Sequence, residues 1–440
     1  MKKNALIKGT LVLTAAGLAS RLIGFFYRIF LSRMFGEEGM GIYELMNPIL
    51  SLTFALCTSG IQSAISKFVA GESGPSCIAN RLRILLSGMA FSGALSAGCA
   101  VLVYRGADFI SVSLLLEPRC APLLRIAALS FPAACLHSCI NGYYYGIKRA
   151  GLPAICQLIE QSFRVGSVFL FWQYSTAHGI IFSINGAAVG LVIGEFASTL
   201  ASLPMAWFHF TGQMPFPAPA KARYSVIMGR LFRFAAPLSA NRVFLHLLGA
   251  VESARIPASL QQFGYSQTQA LSIYGVFTGM AMTCIHFPGA LTNSVSVLLM
   301  PLVAEADARN NLSAIRSAVF KCVRYCLLLG FVCLGMFLLT GNFLGTFLFH
   351  SELTGRFIRT LSFLCPFLYL NTTLLSILNG LGKTGATFAL NMLSILTRLA
   401  FVFFAIPVFG IQGYLWGMLA GQLLVASLSF LLLRSCLRRH

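Results

Sequence analysis

Apolar runs of about 20 to 30 residues follow one another along the whole chain, separated by short polar breaks and without the period-two alternation of strands. Runs of this length predict helices that cross a hydrocarbon core roughly 30 Å thick, and they do not fit the short alternating segments of a transmembrane barrel. Twelve helices are expected, at residues 9–34, 41–66, 84–104, 122–146, 153–174, 184–210, 231–252, 270–302, 325–347, 357–381, 386–409 and 411–433. The eighth is too long for a straight crossing and carries Pro288 followed by Gly289, so a kink or break is expected there. Between the sixth and seventh lies the longest polar interval, residues 211–230, where Met214, Pro215, Phe216, Pro217, Ala218 and Pro219 precede a basic run. We read it as a cytoplasmic linker between an N-terminal six-helix bundle, 1–210, and a C-terminal six-helix bundle, 231–440.

The halves echo one another. YGIKRAGLP, ending at Pro153, matches NGLGKTGAT, ending at Thr387, so that Gly146 answers Gly380 and Gly151 answers Gly385. The same offset of 234 residues, held into the next helix, places Arg164 against Arg398. Near the starts of the sixth and twelfth spans, Ile184, Gly186, Gly190 and Gly194 answer Ile411, Gly413, Gly417 and Gly421, a small-residue spacing that also suits plain helix packing. Two halves with an even number of spans share one orientation, so a pseudo-two-fold axis would run along the membrane normal.

Composition agrees with the pattern: of 440 residues, 57% are hydrophobic and 10% charged, against about a quarter charged in soluble domains. The net charge of +20 could suggest nucleic acid, but the basic residues are scattered through short loops. With a cytoplasmic N-terminus, the cytoplasmic segments hold 20 of the 32 Lys and Arg and the outer segments seven, which fits both termini inside a plasma membrane. The apolar stretch after the basic N-terminus runs through Arg21 without a small-residue cleavage site and is read as the first span rather than a signal peptide. The thirteen cysteines form no CxxC pairs, lie mostly within spans and are read as packing residues; no metal site is expected.

Five arginines, Arg21, Arg28, Arg164, Arg242 and Arg398, fall inside spans. An arginine at a helix centre costs about 2.5 to 3.5 kcal/mol on insertion scales, so each should face a partner or a hydrated cavity. On the fifth span Gln157, Glu160, Gln161 and Arg164 form one polar stripe at i, i+3, i+4 and i+7. It is either an ion pair tying helices together or a cavity wall in which Glu160 orients Arg164 for a ligand. Arg28 has Glu44 at a matching depth on the second span, as an outer gate or a structural pair. The seventh span presents Asn241, Arg242 and His246, with Glu252 and Arg255 near its outer end; His246 either packs or couples protons. Glu195 has no local partner and either pairs with an arginine of another helix or titrates, while Asn293, Asn371, Asn379 and Asn391 add hydrogen-bonding capacity. Arginines outnumber Glu44, Glu160 and Glu195, and surplus guanidinium suits an anion such as phosphate or pyrophosphate on a lipid carrier.

No catalytic residues are assigned. The chain has only two aspartates, Asp108 and Asp307, and no DxD, P-loop, GxSxG or HExxH, which argues against a membrane glycosyltransferase or phosphotransferase. A two-bundle repeat with central polar residues suits a carrier better than a channel. A drug or organic-cation antiporter and a non-transporting scaffold are the alternatives.

SRLIGFFYRIFLSRMFGEEGMGIYELMNPIL (Ser20 to Leu50), QLIEQSFRVG (Gln157 to Gly166), FPGALTNSVSVLLMPLVAEA (Phe287 to Ala306) and LNGLGKTG (Leu378 to Gly385) resemble segments of the stage V sporulation protein B group of polysaccharide transporters. That group belongs to the multidrug, oligosaccharidyl-lipid and polysaccharide exporter superfamily, which includes the lipid II flippases. The resemblance implies a V-shaped pair of six-helix bundles around a central cationic cavity, with Arg21, Arg28 and Arg255 nearest to the flippases' cavity arginines. It also implies that an undecaprenyl-pyrophosphate-linked glycan, lipid II among the candidates, is flipped across a bacterial plasma membrane by alternating access, for cell-wall, peptidoglycan or polysaccharide synthesis. Many relatives have fourteen helices where twelve are read here. Arg21, Arg28, Arg164, Arg242, Arg255 and Arg398 are expected to bind the pyrophosphate, with Glu44, Gln157, Glu160, Gln161, Glu195, Asn241 and Asn293 as cavity or coupling residues. No cofactor is expected beyond coupling to H+, Na+ or the membrane potential, and the expected partners are the glycan lipid, membrane lipids and cell-wall synthesis proteins.

Overall fold

A computed structural model describes residues 2–72, 77–212, 224–309 and 311–439, and the described residues are helical with no strand. The prolines of the expected linker lie outside them. The helices are α1 (Lys2–Phe54), α2 (Gly60–Gly71), α3 (Cys77–Arg105), α4 (Ala107–Phe109), α5 (Cys120–Ala128), α6 (Ser130–Gly146), α7 (Gly151–Ala177), α8 (Asn185–Thr211) and α9 (Tyr224–Phe263). They continue as α10 (Gln267–Gly275), α11 (Met282–His286), α12 (Gly289–Ala308), α13 (Leu312–Phe349), α14 (Glu352–Leu361), α15 (Cys365–Gly380), α16 (Thr384–Phe404), α17 (Ile406–Phe409) and α18 (Ile411–Arg439).

By length and apolarity eight of the described helices are able to span a membrane, or ten if each of two bent pairs is one span. One of the eight, the 58-residue stretch Thr14–Gly71, holds the first two expected spans. They part at Gly36, whose φ of 68° and ψ of −170° break the helix where only glycine sits easily. The fifth expected span falls on α7, which carries Glu160 and Arg164 and is not among the helices that are apolar enough to span by this measure. The break expected at Pro288 and Gly289 is a 60° bend between Gln267–His286 and Gly289–Ser296. A second bend, of 43° between α5 and α6, was not foreseen. It has a local cause: Pro132, in the first turn of α6, has no N–H to return to Ala128, so α5 cannot run straight on.

The helices form two compact units. Unit 1 holds Met1–Gly24 and Leu45–Ala250, unit 2 holds Phe25–Glu44 and Val251–His440, so the units do not follow the linear halves 1–210 and 231–440. The Phe25–Glu44 hairpin owes its place to long-range contacts with unit 2. Gly41 lies against the Leu271 carbonyl and Gly275 against the Glu37 carbonyl so closely that neither site has room for a Cβ. Arg33 donates to the Leu348 and Phe347 carbonyls at the C-terminal end of α13, at 2.8 and 2.6 Å, and Ser351 Oγ donates to Glu37 Oε1 at 2.5 Å. A Glu37→Cys, Ser351→Cys pair is expected to cross-link readily under mild oxidation, read as a mobility shift that dithiothreitol reverses; failure to cross-link would contradict this docking.

Each unit is built on the same plan. In unit 1, α2 and α3 pack on α6, and α7 packs on α8. In unit 2, α12 and α13 pack on α15, and α16 packs on α18. The cores correspond at the 234-residue offset, with Ile65, Val69, Ile140 and Tyr143 in unit 1 answered by Leu299, Val303, Leu374 and Ile377 in unit 2. Gly146 abuts the Ser66 carbonyl and Val69, and Gly380 abuts the Met300 carbonyl and Val303, with 2.7 Å from a built Cβ to each carbonyl oxygen. The repeat read from the glycines is therefore a repeat of backbone contacts.

Candidate functional site

In unit 1 the polar stripe of α7 faces α8 and α6. Arg164 and Glu160, one turn apart, pair at 2.7 Å between Nη2 and Oε1. The same Nη2 lies 3.3 Å from Glu195 Oε1 on α8, and Glu195 Oε2 is 2.8 Å from His137 Nε2 on α6. Glu195 thus bridges a guanidinium and an imidazole with its two oxygens. Gly194 makes the approach possible, since a Cβ built there would lie 2.7 Å from the Glu160 carbonyl oxygen. Side-chain exposure is 7% for Glu195, 10% for His137, 16% for Arg164 and 17% for Glu160, so the group lies largely out of solvent. Gln157 and Gln161 are half-buried on the same helix. With a neutral imidazole and both carboxylates ionised, one Arg and two Glu leave the quartet one negative charge.

The ligand atoms of His137, Glu160 and Glu195 lie within 4.8 Å of one another, a spacing that a metal ion tolerates. Arg164 nevertheless already contacts both carboxylates, and a metal would have to displace it.

Unit 2 treats its arginine differently. Arg398, on α16, grips Glu252 of α9 with a two-pronged contact, Nε to Oε1 at 2.7 Å and Nη2 to Oε2 at 3.0 Å, and Tyr414 donates its hydroxyl to Oε1 at 2.8 Å. Such a fork is the strongest geometry available to a carboxylate and an arginine. At the positions matching the unit 1 quartet, Asn371 stands for His137, Ser394 for Glu160 and Gln422 for Glu195. Asn371 Nδ2 donates to Gln422 Oε1 at 2.6 Å, as His137 meets Glu195 in unit 1. Gly421 lies against Ser394 and Arg398 as Gly194 lies against Glu160 and Arg164.

Arg28 pairs with Glu44 at 3.2 Å, and its Nη1 also donates to Thr283 Oγ1 at 2.9 Å. The remaining candidates are open. Arg21, Asn241, Arg242 and His246 are exposed in unit 1, and Asn293 is half-buried in unit 2. Arg255 is exposed and lies over the Phe403 ring, 5.7 Å from its centroid. No carboxylate pairs with Arg21, Arg242 or Arg255 among the described residues.

The structure therefore brings Glu160, Arg164 and Glu195 together, pairs Arg28 with Glu44, and ties Arg398 to Glu252. Sequence reading singled out neither His137 nor Tyr414 and gave Glu252 no partner. The 234-residue offset would have exposed His137 as the residue aligned with Asn371; Glu252 lies 146 residues from Arg398, beyond any local pattern.

Helices of this length and apolarity, with charged groups buried inside each unit, define a multi-pass membrane protein. Residues 6–307 match the polysaccharide biosynthesis protein family, and the chain belongs to it. It is 28% identical over 436 residues to stage V sporulation protein B of Bacillus subtilis (strain 168), covering 97% of this chain and 83% of that one. It is 23% identical over 402 residues to the lipid II flippase MurJ of the same organism, covering 86% and 73%. An inward-facing multidrug resistance MATE family transporter of the MOP superfamily superposes with a TM-score of 0.70 at 14% identity, covering 98% of each chain, which shows the shared fold. The chain is therefore a multi-pass membrane protein of the polysaccharide biosynthesis protein family.

Proposed function

We propose that the protein flips an undecaprenyl-pyrophosphate-linked glycan, with lipid II as the leading case, from the inner to the outer leaflet of a bacterial plasma membrane in which both termini are cytoplasmic. The observation that carries this reading is the division among the span arginines and Arg255. Arg164 and Arg398 are neutralised within their own units, which removes them from the ligand set we propose. Arg21 and Arg242 in unit 1, and Arg255 in unit 2, lie exposed with no carboxylate pairing among the described residues; each is proposed as a pyrophosphate contact on its own unit, with Arg28 as a gate residue shared with Glu44. Three exposed guanidiniums in an apolar chain call for water or an anion, and the paired oxygens of pyrophosphate fit guanidinium forks. The likeness to the lipid II flippase supports the same cargo class. Neutral sugars would meet amides such as Asn241, while the polyprenyl tail stays in lipid.

The test is transport by the full chain in proteoliposomes, comparing a fluorescent undecaprenyl-pyrophosphate disaccharide with an organic cation. Accelerated translocation of the glycan lipid without cation efflux is expected. Cation efflux without translocation would favour the antiporter, and neither activity would favour a scaffold.

A further inference from the structure

The quartet of unit 1 has a property that its unit 2 counterpart lacks. At the aligned positions unit 2 retains the arginine but replaces every titratable group: His137 by Asn371, Glu160 by Ser394 and Glu195 by Gln422. The fold does not need charge there, since Asn371 and Gln422 make the same interhelical contact as His137 and Glu195. A second observation lies on the other side of the imidazole. Asn141, one turn along α6, places Nδ2 3.5 Å from His137 Nδ1, whereas its Oδ1 is buried with no hydrogen-bond partner among the described residues. Unit 2 has Leu375 at that position.

We propose that His137, Asn141 and Glu195 form a proton-binding site confined to unit 1, with the Asn141 amide turning over to match the protonation state of the imidazole. In the deprotonated state His137 carries its hydrogen on Nε2 and donates it to Glu195, while Nδ1 accepts from Asn141 Nδ2. A proton arriving from water bonds to the Nδ1 lone pair, turning that nitrogen into a donor. Rotation of the Asn141 amide by half a turn then brings Oδ1, the unpartnered acceptor, to Nδ1–H, with no helix movement required. The quartet passes from one negative charge to none. The groups facing His137 are Glu195 on α8, Glu160 on α7 and Cys135 on its own helix, with Arg164 beyond the two carboxylates. Two carboxylates thus face the imidazole, with one guanidinium beyond them. A group able to gain a proton in one unit and without a counterpart in the other is suited to couple proton entry to the transport cycle. That use rests on the transporter reading, but the proton site does not depend on which cargo is carried.

The test is nitrogen-15 spectroscopy of histidine-labelled full-length protein in lipid nanodiscs, with the His137 signal identified by its loss in His137→Asn. In the wild type that signal is expected to pass from the neutral to the imidazolium pattern as pH falls between about 8 and 5. Asn141→Leu, the unit 2 residue, should weaken proton affinity about tenfold, because it removes a hydrogen bond to a charged group. Asn141→Asp, which accepts and adds a negative charge, should strengthen it. Glu195→Gln should weaken it as Asn141→Leu does. The other histidine signals report whether each variant is folded, and Asn141→Asp keeps the test decisive if Asn141→Leu does not fold. A His137 signal that never titrates in the wild type, or whose midpoint is unmoved by all three changes, would overturn the proposal. Either result stands whether or not glycan lipid is flipped, so the two readings fail separately.

Discussion

Arg398→Ala is expected to leave most of the protein misfolded, while Arg398→Met combined with Glu252→Gln restores a large share of folded material. The single change removes both prongs holding Glu252, whose side chain is 7% exposed, and leaves a buried carboxylate with, among the described residues, only the Tyr414 hydroxyl. Breaking one side of a buried pair costs about 3 to 5 kcal/mol, a large part of the roughly 5 to 15 kcal/mol that holds a typical protein folded. Replacing both partners removes the stranded charge, keeps an acceptor for Tyr414 and approximates the volume of the arginine stem. The monodisperse peak in detergent, followed through a temperature ramp, measures both variants. If Arg398→Ala melted like the wild type, Arg398 would not be a structural tie and would return to the ligand set.

The opposite behaviour is expected of Arg21, Arg242 and Arg255. Each is exposed, and none has a carboxylate partner among the described residues, so alanine at all three should leave the melting profile nearly unchanged. Binding of undecaprenyl pyrophosphate should fall by two orders of magnitude or more, because a charge-assisted contact contributes about 1.5 to 3 kcal/mol and several are lost together. Lysine at the same positions should recover only part of it, since an ammonium supplies charge without the planar fork. Ligand-induced stabilisation, titrated with the pyrophosphate lipid, reads all of this. Loss of folding without ligand, or unchanged stabilisation with it, would remove these residues as the contacts.

The helices were legible because hydrophobic runs and their breaks are local, and Pro288 with Gly289 marked one of the two bends. The bend at α5 and α6 also has a local cause in Pro132, but an uninterrupted apolar run concealed it. The Glu160 and Arg164 pair was legible for the same reason, being one helical turn apart. Other features are set by contacts between distant segments. The hairpin Phe25–Glu44 joins unit 2 because Gly41 and Gly275 admit close backbone approach, and nothing within the hairpin names the surface it meets. Glu195 looked unpaired along its own helix, yet it meets Arg164 and His137 on two others. The alignment of Arg164 with Arg398 suggested equal roles, but their partners differ: a titratable quartet around the first, a two-pronged tie to Glu252 for the second. A repeat preserves the packing plan while each copy changes its polar residues separately.

The central claim is that the exposed arginines, and not the two aligned by the repeat, receive the anionic headgroup. The most direct measurement is the rate at which a fluorescent undecaprenyl-pyrophosphate disaccharide crosses proteoliposomes holding equal amounts of folded wild type, the Arg21→Ala, Arg242→Ala, Arg255→Ala variant, or the Arg398→Met, Glu252→Gln variant. The expected result is wild-type translocation, loss to the protein-free rate in the triple variant, and retention of most of the rate in the Arg398 and Glu252 variant. Wild-type rates in the triple variant, or loss confined to the Arg398 and Glu252 variant, would contradict it.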